Sequence, residues 1–346
     1  MMSNDLKDKT LGELEQIVES LGGRKYLGGY IFYFIHVKDA EQITEITPLS
    51  KALREQLAKR GYFISRLSVL DMLTDKDGTT KYAFALGDAE LIETVLMLDG
   101  KRKTVCVSTQ VGCVMDCAFC ATAKLKFRRN LTAGEIVDQV NTVQKDSGRI
   151  SNVVYMGMGE PLANYAAVIK SLRILNHPKG KNIGIRHITV STCGLPAAIR
   201  RLASEDVHPR LAVSLNAPTD ALRMKLMPIN AKYPIAELLK AIRFYQSRTG
   251  QRVTFEYVLI KDLNDSPDHA KMLIKLLAGF SCNVNLIEHN PFPACKYAAS
   301  SSARIREFAA ILEDAGIETT VRYKMGRNIK AACGQLGAGR LAGKFK

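Results

Sequence analysis

The 346-residue sequence contains no apolar run near the roughly 20 residues that a membrane-spanning helix needs, and its opening MMSNDLKDKT has no apolar signal region. The expectation is a cytoplasmic protein with no membrane association. Eight cysteines are too few, in a chain of this size, for the disulfide framework of a small secreted scaffold. In a reducing compartment they stay available as thiols for metal or redox chemistry. Solenoid repeats and low-complexity tracts are also missing, and with 47% hydrophobic residues the length suits one large domain with an accessory unit.

Acidic charge is scarce in the larger part of the chain. Residues 1–80 hold 11 Lys/Arg against 12 Asp/Glu, whereas residues 81–346 hold 38 against 22, so the net charge of +15 belongs to the latter. GKRK (100–103), KLKFRR (124–129), KGK (179–181) and the tail GRLAGKFK supply the clusters. A polyanion such as RNA is the natural partner for such a surface, although a merely solvated basic face has the same composition.

Thr10 and Glu13 have capping-box spacing ahead of an apolar face of Leu11, Leu14, Ile17, Val18 and Leu21, which predicts a helix ending at Gly22. SKALREQLAKRG reads as a second helix closed by Gly61, while YIFYFIHV between them is too short to assign by periodicity. These features define an N-terminal helical accessory domain over 1–65, followed by a linker and β extension over 66–101, with a β-meander expected from residue 81. From residue 103, six strand candidates (KTVCVST, NVVYMG, HITVST, RLAVSL, VTFEYVLI and NVNLIEHN) each precede a helical segment, among them 132–147 capped by Thr132 and Glu135. The alternation predicts an α/β fold with a parallel sheet, either doubly wound or a partial barrel, over 102–325, and a Gly-rich C-terminal segment over 326–346.

The stretch CVSTQVGCVMDCAFC places Cys113, Cys117 and Cys120 in C-x3-C-x2-C spacing. Neither paired zinc knuckles nor the four-cysteine ferredoxin run is present. Three thiolates leave one iron of a four-iron cluster open to a ligand, with a zinc or redox-thiol site as the alternative. In the strand reading Cys106 lies on the polar, inward face with Ser108 and Gln110, opposite Val105 and Val107. There it either joins the cluster as a fourth ligand, making an electron-transfer centre, or serves another purpose. Cys333 lies in a Gly-rich stretch that suits close backbone approach to a ligand, or simply a flexible tail.

CVMDCAFC resembles the cluster loop of the radical S-adenosylmethionine (SAM) superfamily. With MGMGEPL, SLNAP, LMPIN, NLIEHNPFP and AACGQL, the likeness from residue 90 to 337 is to the RlmN/Cfr family of radical SAM RNA methyltransferases. The resemblance implies a partial (β/α)6 TIM-like barrel with a small N-terminal helical domain and a β-meander extension. It implies one 4Fe-4S cluster on Cys113, Cys117 and Cys120, and SAM, two per turnover, held by Gly159, Glu160, Ser191, Ser214, Leu215, Asn216 and Asn290. The implied catalytic residues are Cys333, which becomes S-methylated, Cys106, which forms a transient disulfide with it, and Glu93, the proton acceptor. Such a route suits adenine C2, an electron-poor amidine carbon that cannot displace the sulfonium methyl directly.

The implied substrate is an adenine in 23S rRNA at the peptidyl transferase centre, and in some members the adenine beside the tRNA anticodon. GMGEPL and NPFP favour C2 over C8 methylation. A flavodoxin or ferredoxin as electron donor and a monomeric state complete the expectation, with a non-enzymatic RNA-binding iron-sulfur protein as the contrasting reading. The chain departs from the usual family residues at Asn216 (commonly His), Cys193 (commonly Ser) and Asn328 (commonly Asp).

Overall fold

The structure, a computed structural model, describes residues 4–292, 295–322 and 325–341. Pro293 of the NPFP motif, residues 323–324 and the basic tail beyond residue 341 lie outside the described residues.

Three helices come first: α1 (Leu11–Ser20), α2 (Leu27–His36) and α3 (Lys51–Lys59). The capping box starts α1 as expected, with Glu13 N donating to Thr10 Oγ1 at 3.3 Å and Thr10 N to Glu13 Oε2 at 2.7 Å. YIFYFIHV, unassigned from periodicity, is part of α2, whose Ile31, Phe32 and Ile35 are fully buried. These helices share one apolar cluster with the sheet, and a buried ion pair, Lys7 Nζ to Asp138 Oδ1 at 2.5 Å, fastens the N-terminal segment to the barrel.

The meander comprises β1 (Ser68–Thr74), β2 (Thr80–Ala85), β3 (Leu91–Asp99) and β4 (Arg102–Cys106), all antiparallel. It starts earlier than residue 81, because β1 is an exposed edge strand whose SVLDMLT lacks clean alternation. The pair β5 (Gln110–Val111) and β6 (Arg129–Asn130) brackets the cysteine loop and the short α4 (Ala121–Lys124). Then follow α5 (Ala133–Ser147), β7 (Asn152–Tyr155), α6 (Tyr165–Asn176), β8 (Ile188–Thr192), α7 (Pro196–Leu202), β9 (Arg210–Ser214), α8 (Asp220–Leu226), α9 (Ile235–Thr249), β10 (Val253–Leu259), α10 (Pro267–Leu277), β11 (Cys282–Glu288), α11 (Ser302–Asp314), β12 (Thr319–Arg322) and α12 (Ala338–Leu341).

Strand order decides between the two parallel-sheet alternatives. The ten-stranded sheet runs β1-β2-β3-β4-β7-β8-β9-β10-β11-β12, parallel from β4 onward and in chain order throughout. A doubly wound sheet reverses direction at a switch point; this one winds one way and stays open between β1 and β12, the partial barrel. The parallel strands are apolar-rich because helices cover their outer face, and their C-terminal ends converge on one mouth.

Candidate active site

The cysteine loop is held rigidly at that mouth. Gly112, at φ 73°, cannot carry a side chain, since a Cβ would stand 2.3 Å from the Lys126 carbonyl oxygen. Ala118 N donates to Leu226 O at 2.9 Å and Ala121 N to Gly334 O at 2.8 Å, tying the loop to α8 and to the C-terminal segment. Cys113, Cys117, Phe119 and Cys120 line one cavity, whose wall includes Val258 and Ile287. Burial pushes the Cys120 thiol up to about 11 and the Cys113 thiol higher still. Among the described residues no three His, Cys, Asp or Glu side chains are grouped tightly enough to hold a single metal ion. The three cysteines line one cavity and supply the three thiolates that a four-iron cluster takes when one of its irons is left open.

The GMGEPL turn after β7 lines the same cavity. Gly159, at φ 101°, packs so closely that a Cβ would lie 2.6 Å from Gln110 Cβ. Glu160 is buried, and burial raises its carboxyl, while Cys193 N donates to Oε2 at 2.7 Å and Leu162 N to Oε1 at 3.0 Å. These bonds fix a carboxylate in the cavity wall, where it suits the ammonium of an amino-acid ligand. Although β4 ends at Cys106, Ser108 and Gln110 beyond it support this turn: Met158 N donates to Ser108 Oγ at 2.9 Å, and Glu160 N to Gln110 Oε1 at 3.0 Å.

Ser191, Ser214 and Asn216 line the same cavity, at or just beyond the ends of β8 and β9. Asn216 adopts the left-handed conformation, φ 59°, which asparagine tolerates better than most residues. Its side chain serves the scaffold, with Oδ1 accepting from Val258 N at 2.9 Å and Nδ2 3.2 Å from Met227 Sδ. Leu215 is buried and its amide is 3.1 Å from Glu256 O. It therefore positions its neighbours without lining the cavity.

Cys333 reaches this cavity from the far end of the chain. Asn290 Nδ2 donates to its carbonyl at 3.2 Å, Thr122 Oγ1 to Leu336 O at 2.8 Å, and Gln335 Nε2 to Pro291 O at 2.9 Å. Part of Cys333 remains exposed, yet the protein packed round its thiol raises it, with Arg322 opposing. Cys106 is buried and pushed up to about 12; after burial, Cys333 is its strongest raising influence. Cys106 itself is not among the residues that line the cavity.

Glu93 is not a wall of this cavity. Its Oε1 pairs with Lys81 Nζ at 3.1 Å and its Oε2 accepts from Gly337 N at 2.6 Å, and Glu93 lines two other spaces, one with Asn328 and Lys330 and one with Met158 and Gly337. Asn328 does not leave the Cys333 segment unanchored, because the carboxylate is supplied from the other side. Asp75 Oδ2 accepts from Asn328 N at 3.0 Å and Oδ1 from its Nδ2 at 2.7 Å, and Asp77 Oδ2 accepts from Gly326 N at 2.9 Å. The turn between β1 and β2 thus bridges the open side of the barrel to the C-terminal segment.

Residues outside the motif stretches also build the site, and Cys193 has a place in it. Arg223 is fully buried and reaches Leu215 O (3.2 Å), Cys193 O (2.6 Å) and Asn230 Oδ1 (3.0 Å), knitting the ends of β8 and β9 together. Cys193 places Sγ 3.7 Å from that of Cys117. Glu256 and Arg322, on β10 and β12, line the cavity. The one available signal was a charged residue inside an otherwise apolar parallel strand, as in VTFEYVL.

A family model of the radical SAM superfamily matches residues 107–274. A relative from Alkaliphilus oremlandii (strain OhILAs), named probable dual-specificity RNA methyltransferase RlmN, is 47% identical over 333 residues, covering 96% of this chain and 97% of its own. One of the same name from Thermus thermophilus is 45% identical over 327 residues, covering 93% and 92%. The crystal structure of a radical SAM methyltransferase from Sphaerobacter thermophilus matches with a TM-score of 0.91 at 47% identity, over 96% of this chain and 99% of that one.

Proposed function

The chain belongs to the RlmN-type radical SAM RNA methyltransferases, and from this premise we propose that it methylates C2 of an adenine in 23S rRNA at the peptidyl transferase centre, and of the adenine beside the anticodon in tRNA. Membership brings a 4Fe-4S cluster, SAM and an RNA substrate. In this reading Cys113, Cys117 and Cys120 hold the cluster, while Gly159, Glu160, Ser191, Ser214, Leu215, Asn216 and Asn290 form or support the SAM site. Two SAM molecules are used per turnover, a flavodoxin or ferredoxin delivers the electron, and the protein acts as a monomer. The observation that carries the reading is that Cys333, 213 to 220 positions from the loop cysteines in sequence, lines the same cavity as they do.

When bound, the cluster and SAM supply a methyl group for transfer to sulfur and a hydrogen-abstracting 5′-deoxyadenosyl radical. Cys333 takes up the methyl group and, after loss of one hydrogen atom, its carbon-centred radical bonds to adenine C2; the unpaired electron of that adduct would return to the bound cluster as the C2 proton leaves. Glu93 accepts the C2 proton once Gly337 releases Oε2, so proton removal is tied to movement of the Cys333 segment. The Cys106 thiolate then attacks the Cys333 sulfur; the carbon–sulfur bond breaks, its electron pair stays with the methylene carbon, which takes a proton to become the methyl group of the released base, and thiol reductants reset the Cys106–Cys333 disulfide.

The test is anaerobic turnover of the reconstituted protein with SAM, reductant and RNA, followed by mass spectrometry of the digested RNA and of the Cys333 peptide. 2-Methyladenosine with an S-methylated Cys333 is expected. 8-Methyladenosine, or RNA binding without SAM cleavage, refutes the proposal.

A further inference from the structure

Glu256 is 4% exposed, on a strand wall where an ionised carboxylate is costly unless every lone pair has a use. Its Oε1 accepts from Asn285 Nδ2 at 3.0 Å, and its backbone carbonyl holds the amides of Leu215 and Asn216. Its Oε2 is buried and, among the described residues, has no hydrogen-bond partner. The side chain lines the cavity together with Arg322 and Cys333. Arg322 places Nη1 3.5 Å from Met156 Sδ, a weak acceptor for a guanidinium with five N–H donors. Glu256 raises the Arg322 pKa more than any other neighbour, with Cys333 and Cys106 acting in the same direction. An acceptor and a donor thus line the same cavity as Cys333 and the Glu160 turn.

We propose that Glu256 and Arg322 read the Watson–Crick edge of the substrate adenine, Glu256 Oε2 accepting from the N6 amine and Arg322 donating to N1, which sets the neighbouring C2 before Cys333. The inference rests on the adenine-methylation reading above and names the residues that make it base-specific. Guanine presents a carbonyl oxygen and an N1–H at the same edge. It would set acceptor against carboxylate and donor against guanidinium, in a site that cannot rehydrate either group. A hydrogen bond to a charged acceptor is worth about 10- to 100-fold in discrimination.

The experiment compares RNA carrying adenosine at the target with RNA carrying purine riboside there, which lacks only the N6 amine, on the reconstituted wild type, Glu256→Gln and Glu256→Ala. The wild type is expected to prefer adenosine by about 10- to 100-fold in kcat/KM, and Glu256→Ala to bring the ratio to within about threefold of unity. Glu256→Gln, which keeps an acceptor without the charge, is expected to fall between. The same ratio in RNA binding decides the matter if a variant turns over too slowly. Equal use of both RNAs by the wild type overturns the inference. So does a Glu256→Ala ratio matching the wild type, or an effect confined to SAM affinity. A wild type that forms no methyladenosine overturns the adenine reading and this inference with it, an outcome distinct from the others because it appears before any variant is made.

Discussion

Replacing Lys81 with methionine should loosen the Cys333 segment more than any other part of the chain. Lys81 Nζ touches Glu93 Oε1 at 3.1 Å and Lys330 O at 3.4 Å, while Glu93 Oε2 holds Gly337 N at 2.6 Å. One buried ion pair, with side chains 8% and 9% exposed, therefore grips both ends of the 330–337 turn. Removing one partner of a buried pair strands the other charge at a cost of about 3–5 kcal/mol. Here the stranded carboxylate is covered by the segment itself, so opening the segment lets water reach Glu93 and relieves that cost. Local opening should become about a hundredfold more frequent, or more, since each 1.4 kcal/mol is roughly tenfold. Hydrogen exchange with mass spectrometry on peptides spanning 325–341, read against core peptides of β8 and β9, measures this directly. Lys81→Met combined with Glu93→Gln should recover most of the protection. Wild-type exchange in Lys81→Met, or an increase spread evenly over the protein, would refute the clamp.

Four further outcomes are expected. Cys106→Ala keeps its iron but accumulates RNA covalently joined to Cys333, visible as a shifted band on denaturing gels; loss of iron counts instead for a ligand role. Burial keeps Cys120 and Cys113 protonated at neutral pH in the cluster-free fold, and ligation needs thiolates, so cluster assembly releases protons and iron uptake should rise from pH 7 to 8.5; a flat or falling profile contradicts this. Gly159→Ala meets both the Gln110 side chain and a positive φ, a strain of about 1–3 kcal/mol, and should lower SAM affinity in equilibrium dialysis while the protein stays folded. Asn328→Asp sets a second carboxylate against Asp75, whose own carboxyl is held low chiefly by the Asn328 side chain. Faster exchange of the C-terminal peptides is expected, with recovery when Asp75→Asn is added.

What the sequence determined on its own was whatever local chemistry dictates. The C-x3-C-x2-C spacing set three thiols on one short loop, the Thr10–Glu13 and Thr132–Glu135 boxes started α1 and α5, and apolar strand runs alternating with helices required a covered parallel sheet. Strand order was not legible in the periodicity, because every β-α unit satisfies its own periodicity whichever neighbour it pairs with; the partial barrel was implied by the family resemblance, and the structure bears it out. The tertiary structure alone made the sheet wind in one direction and left it open beside β1. Arg223, Glu256 and Arg322 belong to no spacing pattern and acquire meaning only where strand ends converge. Asn328 illustrates the same limit: read by itself it lacks a charge, and the fold provides one from Asp75 across the gap of the barrel. Hydrogen bonds between residues some 250 positions apart are decided by packing, since nothing in either segment specifies its partner until the core has closed and brought them together.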